Sequence, residues 1–331
     1  MIVFQPETYA ITLCFMILSM LCWGSWANTV KLCPGFRFQL FYWDYVGGLL
    51  LGSILFGLTL GSLGSSGRPF FADLLHADST HFLLAFTGGV IFNVANLLLV
   101  AAIEIAGLAV AFPVGIGLAL AVGAVSSYII TPQGNPLMLF CGVALVLAAI
   151  VFDALAYRLR EKEKRTASMR GVVLSLAAGL LMGTFYPFVA KSMSGDDAPG
   201  PYAIALIFTI GVIVCSLPLN YLLMRKPLDG GAPAPFSAYR AAPFQWHLWG
   251  LLGGAIWLSG AVLNFVASQA HMVGPAVSYS IGQGATMVSA CWGVFIWREF
   301  ATAPARSKRF LVWMFLFFLA GLSSIALAPL F

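Results

Sequence analysis

Ten runs of about twenty predominantly apolar residues follow one another along this chain, and no other feature limits its fold as strongly. Their cores cover 9–29, 40–60, 82–102, 108–128, 136–156, 171–189, 203–223, 246–268, 276–297 and 310–330. A run of that length spans the hydrocarbon of a bilayer. Inside lipid every backbone N–H and C=O must be paired within the segment, so each run is expected to be a helix. Only 9% of the residues are charged, against roughly a quarter in soluble domains. The expected fold class is therefore all-α, a polytopic membrane protein of ten transmembrane helices. The first run has neither a basic leader region nor a small-residue cleavage site, so it is expected to be retained.

Charge gives the orientation. Of the 17 lysines and arginines, only Arg68 and Lys191 lie in loops that follow even-numbered runs. The remaining fifteen follow odd-numbered runs, which by the positive-inside rule puts both termini on the non-cytoplasmic side of a cell membrane, the inner membrane of a bacterium. The net charge of +5 then reports orientation and requires no nucleic-acid partner. The densest basic stretch, "YRLREKEKR" from Tyr157 to Arg165, reads as a solvated cytoplasmic linker. It separates five runs from five, giving halves 1–157 and 171–331 joined by 158–170.

The halves resemble each other. Gly88-Gly89-Val90-Ile91-Phe92 aligns with Gly253-Gly254-Ala255-Ile256-Trp257, and Gly115-Ile116-Gly117 falls on Ser280-Ile281-Gly282 at the same offset. A second offset matches Trp23-Gly24-Ser25-Trp26 with Met182-Gly183-Thr184-Phe185. Five is odd, so a duplicated second half would be inverted, the architecture of alternating-access transporters.

Polar side chains within the runs mark candidate contacts with a solute. Small hydroxyls and glycines are expected at any helix crossing, whereas amides and carboxylates are costly in lipid and point to function. Asn93 and Asn96 share one helical face near mid-span; they suit the hydroxyls or ring amides of a neutral solute, or interhelical bonding. Tyr279, Gln283 and Thr286 recur at helical spacing in the ninth run. Its counterpart carries Pro113, Gly115 and Gly117, expected to loosen the fourth helix and admit close approach beside a cavity, with close helix packing an equal account of the glycines. In the first run Trp23, Ser25, Trp26 and Asn28 precede Lys31. Aromatic walls with amides between them fit a planar or sugar-like molecule, and an interfacial aromatic belt is the competing reading. Asp44 is the leading proton-coupling residue, with Lys31 as an alternative structural partner, and Glu104 is second. Asp153 and Glu299 stand beside basic residues and read as surface charges. The six cysteines and four histidines lack metal-ligand spacing, and neither a cofactor motif nor a catalytic pair is visible.

These residues resemble a known family. "WGSW" in the first run, "FYWDY" in the second, "WREF" after the ninth and the "GGVIFNVAN" segment are similar to elements of the drug/metabolite transporter superfamily. The resemblance is to its ureide permease and glucose/ribose porter branch, with rhamnose-proton symporters as neighbours. It implies a secondary transporter of a small neutral polar solute, a monosaccharide or a nucleoside, nucleobase or ureide, imported with protons. It carries over to Trp23, Ser25, Trp26, Asp44, Asn93 and Asn96; the family's proline after the tryptophan pair is replaced here by Ala27-Asn28. An exporter of amphipathic compounds and a membrane scaffold or sensor are the alternatives.

Overall fold

The computed structural model describes residues 4–64, 67–160, 168–195, 197–270 and 272–331. Most of the basic linker and His271 lie outside the described residues. Among the described residues the regular structure is helical: α1 (Tyr9–Ser25), α2 (Asn28–Lys31), α3 (Phe38–Leu58), α4 (Phe70–His76), α5 (Ser79–Ala106), α6 (Leu108–Ile130), α7 (Pro136–Arg160), α8 (Met169–Ser192), α9 (Pro201–Arg225), α10 (Phe236–Arg240), α11 (Phe244–Ser268), α12 (Pro275–Gly282), α13 (Ala285–Cys291), a π-helical turn (Trp292–Ile296) and α14 (Ala305–Leu327). Nine of the described helices, counting α1 and α2 together, are long and apolar enough to cross a membrane.

The segment expected as a ninth continuous span is broken. Gly282 and Gly284 flank Gln283, and there the α-helical ladder gives way to a tight turn in which the Gly284 N–H donates to the Ile281 carbonyl. Glycine weakens a helix interior, and Gly284 lies against Met20 of α1, where a Cβ would meet the sulfur. The segment therefore consists of α12, α13 and the π turn. The fourth span differs from expectation in the opposite sense. α6 continues through Pro113, and the Gly115 carbonyl presses against Gly179 of α8. Gly115 thus serves close helix packing, one of the two uses its sequence leaves open.

Two interlocks bring helix backbones into contact. A Cβ on Gly254 of α11 would fall on the Tyr45 carbonyl of α3, and one on Gly48 of α3 would fall on the Leu251 carbonyl of α11. Likewise Gly89 of α5 faces the Phe208 carbonyl of α9, and Gly211 of α9 faces the Phe86 carbonyl. Without hydrophobic pressure between helices in lipid, this close approach is a main source of association. Among the other helix pairs, α5 and α6 pack on α8, α11, α12 and α13 pack on α1, and α7 packs on α14. One buried aromatic cluster, including Phe92, Phe185, Phe208, Trp257 and Phe265, fills the centre of the bundle.

Candidate functional site

A cavity of about 580 Å³ runs from this aromatic centre toward the end of the bundle where α2, α7 and the π turn finish. That volume lies within the range of small-molecule sites. Trp23, Trp26, Phe92, Phe185 and Trp257 wall its inner part. Trp23 stacks on Trp257 with ring centroids 5.9 Å apart, and Trp257 lies 4.2 Å from Phe92. Uncharged polar groups, Asn28, Asn96, Gln283, Thr286 and Ser289, stand between the rings. The charged lining residues, Lys31, Arg160 and Glu299, belong to the mouth.

Asn96 anchors the polar wall. Its amide donates to the Tyr42 hydroxyl at 3.2 Å, and Tyr42 donates to Asn93 Oδ1 at 2.8 Å, which also accepts from Ser216 at 2.9 Å. Asn96 lines the cavity while Asn93, wholly buried, holds the network behind it. The Gln283 carboxamide makes no side-chain hydrogen bond among the described residues and stands at the helix break, where it can donate to and accept from a solute.

Of the residues expected from sequence, Trp23, Trp26, Asn28, Asn96 and Gln283 line the cavity. Ser25 does not; its hydroxyl accepts from the Trp292 indole at 2.9 Å. Tyr279 is fully buried, bonded to the Ala119 and Met182 carbonyls. Pro113, Gly115 and Gly117 stay behind Phe112 and Ile116. Asp44 and Glu104 are outside the lining as well. Asp44 accepts hydrogen bonds from Tyr239 at 2.5 Å and pairs with His247 at 2.8 Å, so Lys31 is not its partner. Burial, then the Asp44 carboxylate, pushes the Tyr239 phenol up. Sequence reasoning missed Trp257, Phe92, Phe185 and the mouth residues, although the aligned Phe92 and Trp257 carried a signal in their shared position after the glycine pairs.

The polar residues that end the first run have a defined use. Trp297 donates to Asn28 Oδ1 at 2.6 Å, beside the bond from Trp292 to Ser25. Lys31 Nζ reaches Glu299 at 2.6 Å and lies over the Trp297 ring. Residues 25, 28 and 31 thus tie the end of the first span to the π turn and the residues after it. Arg160 contacts the other Glu299 oxygen at 2.6 Å, and its guanidinium stacks over Tyr157. Glu299 is therefore a bridging charge rather than a free surface carboxylate. Arg298, with φ of 52°, adopts the left-handed conformation at this turn, at a cost of about 1–2 kcal/mol.

Burial pushes the Glu299 carboxyl up, but Lys31 and Arg160 outweigh it and hold the group below its ordinary range. A carboxylate so depressed stabilises the fold above its unfolded-state pKa, and the contribution is lost as pH falls through the lower folded value. Glu299→Gln is expected to destabilise the protein by about 1–3 kcal/mol at neutral pH. Melting curves of the two proteins should converge on acidification; a gap unchanged by pH would show that the bridge contributes nothing.

The far end of the cavity is sealed. Tyr186 donates to Asn264 Oδ1 at 2.5 Å, and Asn264 Nδ2 donates to the Ser278 carbonyl at 2.9 Å and to Ser19 at 3.3 Å. Tyr186, Tyr279 and Phe265 around this network are inaccessible to solvent.

Comparison with known proteins follows the same lines. A family model described as "Sugar transport protein" matches residues 14–328. "Ureide permease 1" of Arabidopsis thaliana is 23% identical over 373 aligned residues, covering 93% of this chain and 94% of that protein. "Ureide permease 4" of the same plant is 24% identical at the same coverage. "Glucose uptake protein GlcU" of Bacillus subtilis (strain 168) is 24% identical over 249 residues, 73% of this chain and 78% of its own. One solved crystal structure, 13% identical, superposes with a TM-score of 0.66 over 95% of this chain and 96% of that chain, so the two share a fold.

Proposed function

Because this chain belongs to the sugar transport protein family, we propose that it is a secondary transporter, not an enzyme, that imports a small neutral polar solute of monosaccharide or ureide size with protons. The observation that carries this reading is the chemistry of the cavity. Aromatic faces and uncharged amide and hydroxyl groups line its interior, with the Gln283 carboxamide unpaired among the described residues, while charge is confined to the mouth. Stacking faces accept a sugar or heterocyclic ring, and the amides orient it without an ionic partner. Relatives named as ureide permeases and a glucose uptake protein support the same solute class.

We read the bundle as ten crossings in two inverted halves, 1–157 and 171–331, with Pro275–Ile296 as a broken ninth crossing. The glycine interlocks support this reading, since α3 on α11 and α5 on α9 are the same pair with the halves exchanged. A discontinuous helix at the repeat interface is where transporters of this type hold their solute. With the basic loops in the cytoplasm, the mouth at Lys31, Arg160 and Glu299 opens inward and the Tyr186–Asn264 network seals the outer side. Alternating access would exchange these two conditions.

The test is thermal stabilisation of the purified protein by monosaccharides, nucleosides, nucleobases, ureides and lipophilic cations. A ligand at a hundred times its dissociation constant adds about 2.7 kcal/mol to the folded state. Stabilisation by one neutral polar class is expected. Stabilisation by lipophilic cations alone would move the reading to export of amphipathic compounds.

A further inference from the structure

Asp153 lies on α7, seven residues before its end, with 6% of its surface exposed. Its Oδ1 is buried without a hydrogen-bond partner, and no ion pair to it exists among the described residues. Tyr157 and Arg160 follow it at i+4 and i+7, on the same face of the helix, and both line the cavity mouth. From this geometry we infer that Asp153 carries the coupled proton, an assignment that rests on the transport reading above.

The charged surroundings make the group a switch. Glu299, on the turn after the π helix, reaches the Tyr157 hydroxyl of the same α7 face at 3.4 Å, and Lys31 of α2 and Arg160 both hold it. On α14, Arg306 lies over Phe310, Lys308 donates to the Ala301 carbonyl and Arg309 is exposed, so none serves Asp153. α6, also packed on α7, has no charged residue. An ionised carboxylate without a partner is too costly to bury, so here Asp153 is the neutral acid. When the Glu299 turn moves away, the Arg160 guanidinium is released toward Asp153. The carboxyl O–H bond then breaks, the proton passes to water in the mouth, and the carboxylate left behind pairs with Arg160. The reverse step takes up one proton and returns Arg160 to Glu299. Solute in the cavity beside this turn biases which arrangement forms.

The experiment uses full-length protein in liposomes, with radiolabelled D-glucose and allantoin as probes. Asp153→Asn is expected to exchange labelled for unlabelled solute at a rate comparable to wild type but to lose accumulation driven by a proton gradient. Asp44→Asn and Glu104→Gln should keep that accumulation. An infrared band of a buried protonated carboxyl should be present in wild type and absent from Asp153→Asn. Gradient-driven accumulation by Asp153→Asn at the wild-type level, or a carboxyl band that persists in it, would overturn the assignment. Should the variant also lose exchange, the infrared comparison decides alone. Failure of wild type to exchange either probe would count against the transport reading, and the band would still report on Asp153.

Discussion

Gly254→Leu is expected to abolish the folded protein, with Gly89→Leu doing the same from the other interlock. Each glycine sits where a Cβ would coincide with a backbone carbonyl of the facing helix, Tyr45 or Phe208. A flexible side chain can yield to an intruding methyl, but a hydrogen-bonded helix backbone cannot without the helices separating. The cost should exceed about 3 kcal/mol, the upper end of ordinary overpacking, against a total stability of about 5–15 kcal/mol. Gly117→Ala is the control, because its Cβ would meet only the tip of Leu147 at 3.6 Å, an ordinary contact. Detergent-solubilised yield and size-exclusion profiles check the series. A monodisperse Gly254→Leu variant would mean that α3 and α11 are not locked as described.

Gln283→Met should leave the fold intact and lower transport efficiency for the preferred solute by about 10- to 100-fold. Methionine keeps the length and removes the donors and acceptor. A lost hydrogen bond to an uncharged partner, with the solute group then left unpaired, costs about 1–3 kcal/mol, and 1.4 kcal/mol is a factor of ten. No bond to another described side chain is broken by the change, so melting temperature should barely move. Initial uptake rates over a range of solute concentrations check this. Unaltered uptake would remove the helix break from the binding site.

The spans, the paired glycines and part of the cavity wall were legible because each leaves a local trace: apolar length, small residues at fixed spacing, amides in lipid. Trp23, Trp26, Asn96 and Gln283 belong to that set. Hydrogen-bonding capacity at the end of the first span was legible too, but not its use. Ser25, Asn28 and Lys31 find Trp292, Trp297 and Glu299 more than 260 positions away, and no periodicity announces such a pairing. Asp44 looked like the membrane carboxylate in need of a partner; Tyr239 and His247, 195 and 203 residues further on, supply it. Asp153 read as a surface charge because Arg158 follows closely in sequence, yet α7 turns Arg158 to the surface and leaves the Asp153 carboxyl buried. Pro113 looked like a break and is not one, whereas the two glycines around Gln283 mark where the ladder opens.

The central claim is that the cavity binds an uncharged polar solute and delivers it across the membrane. Solute counterflow in liposomes tests it most directly, with no gradient imposed and with labelled glucose or allantoin compared against glucuronate, which adds a carboxylate to the same ring. The account predicts exchange of a neutral probe, little exchange of glucuronate, and a steep loss in Gln283→Met. Equal exchange of the charged and neutral sugars, or exchange confined to lipophilic cations, would contradict it.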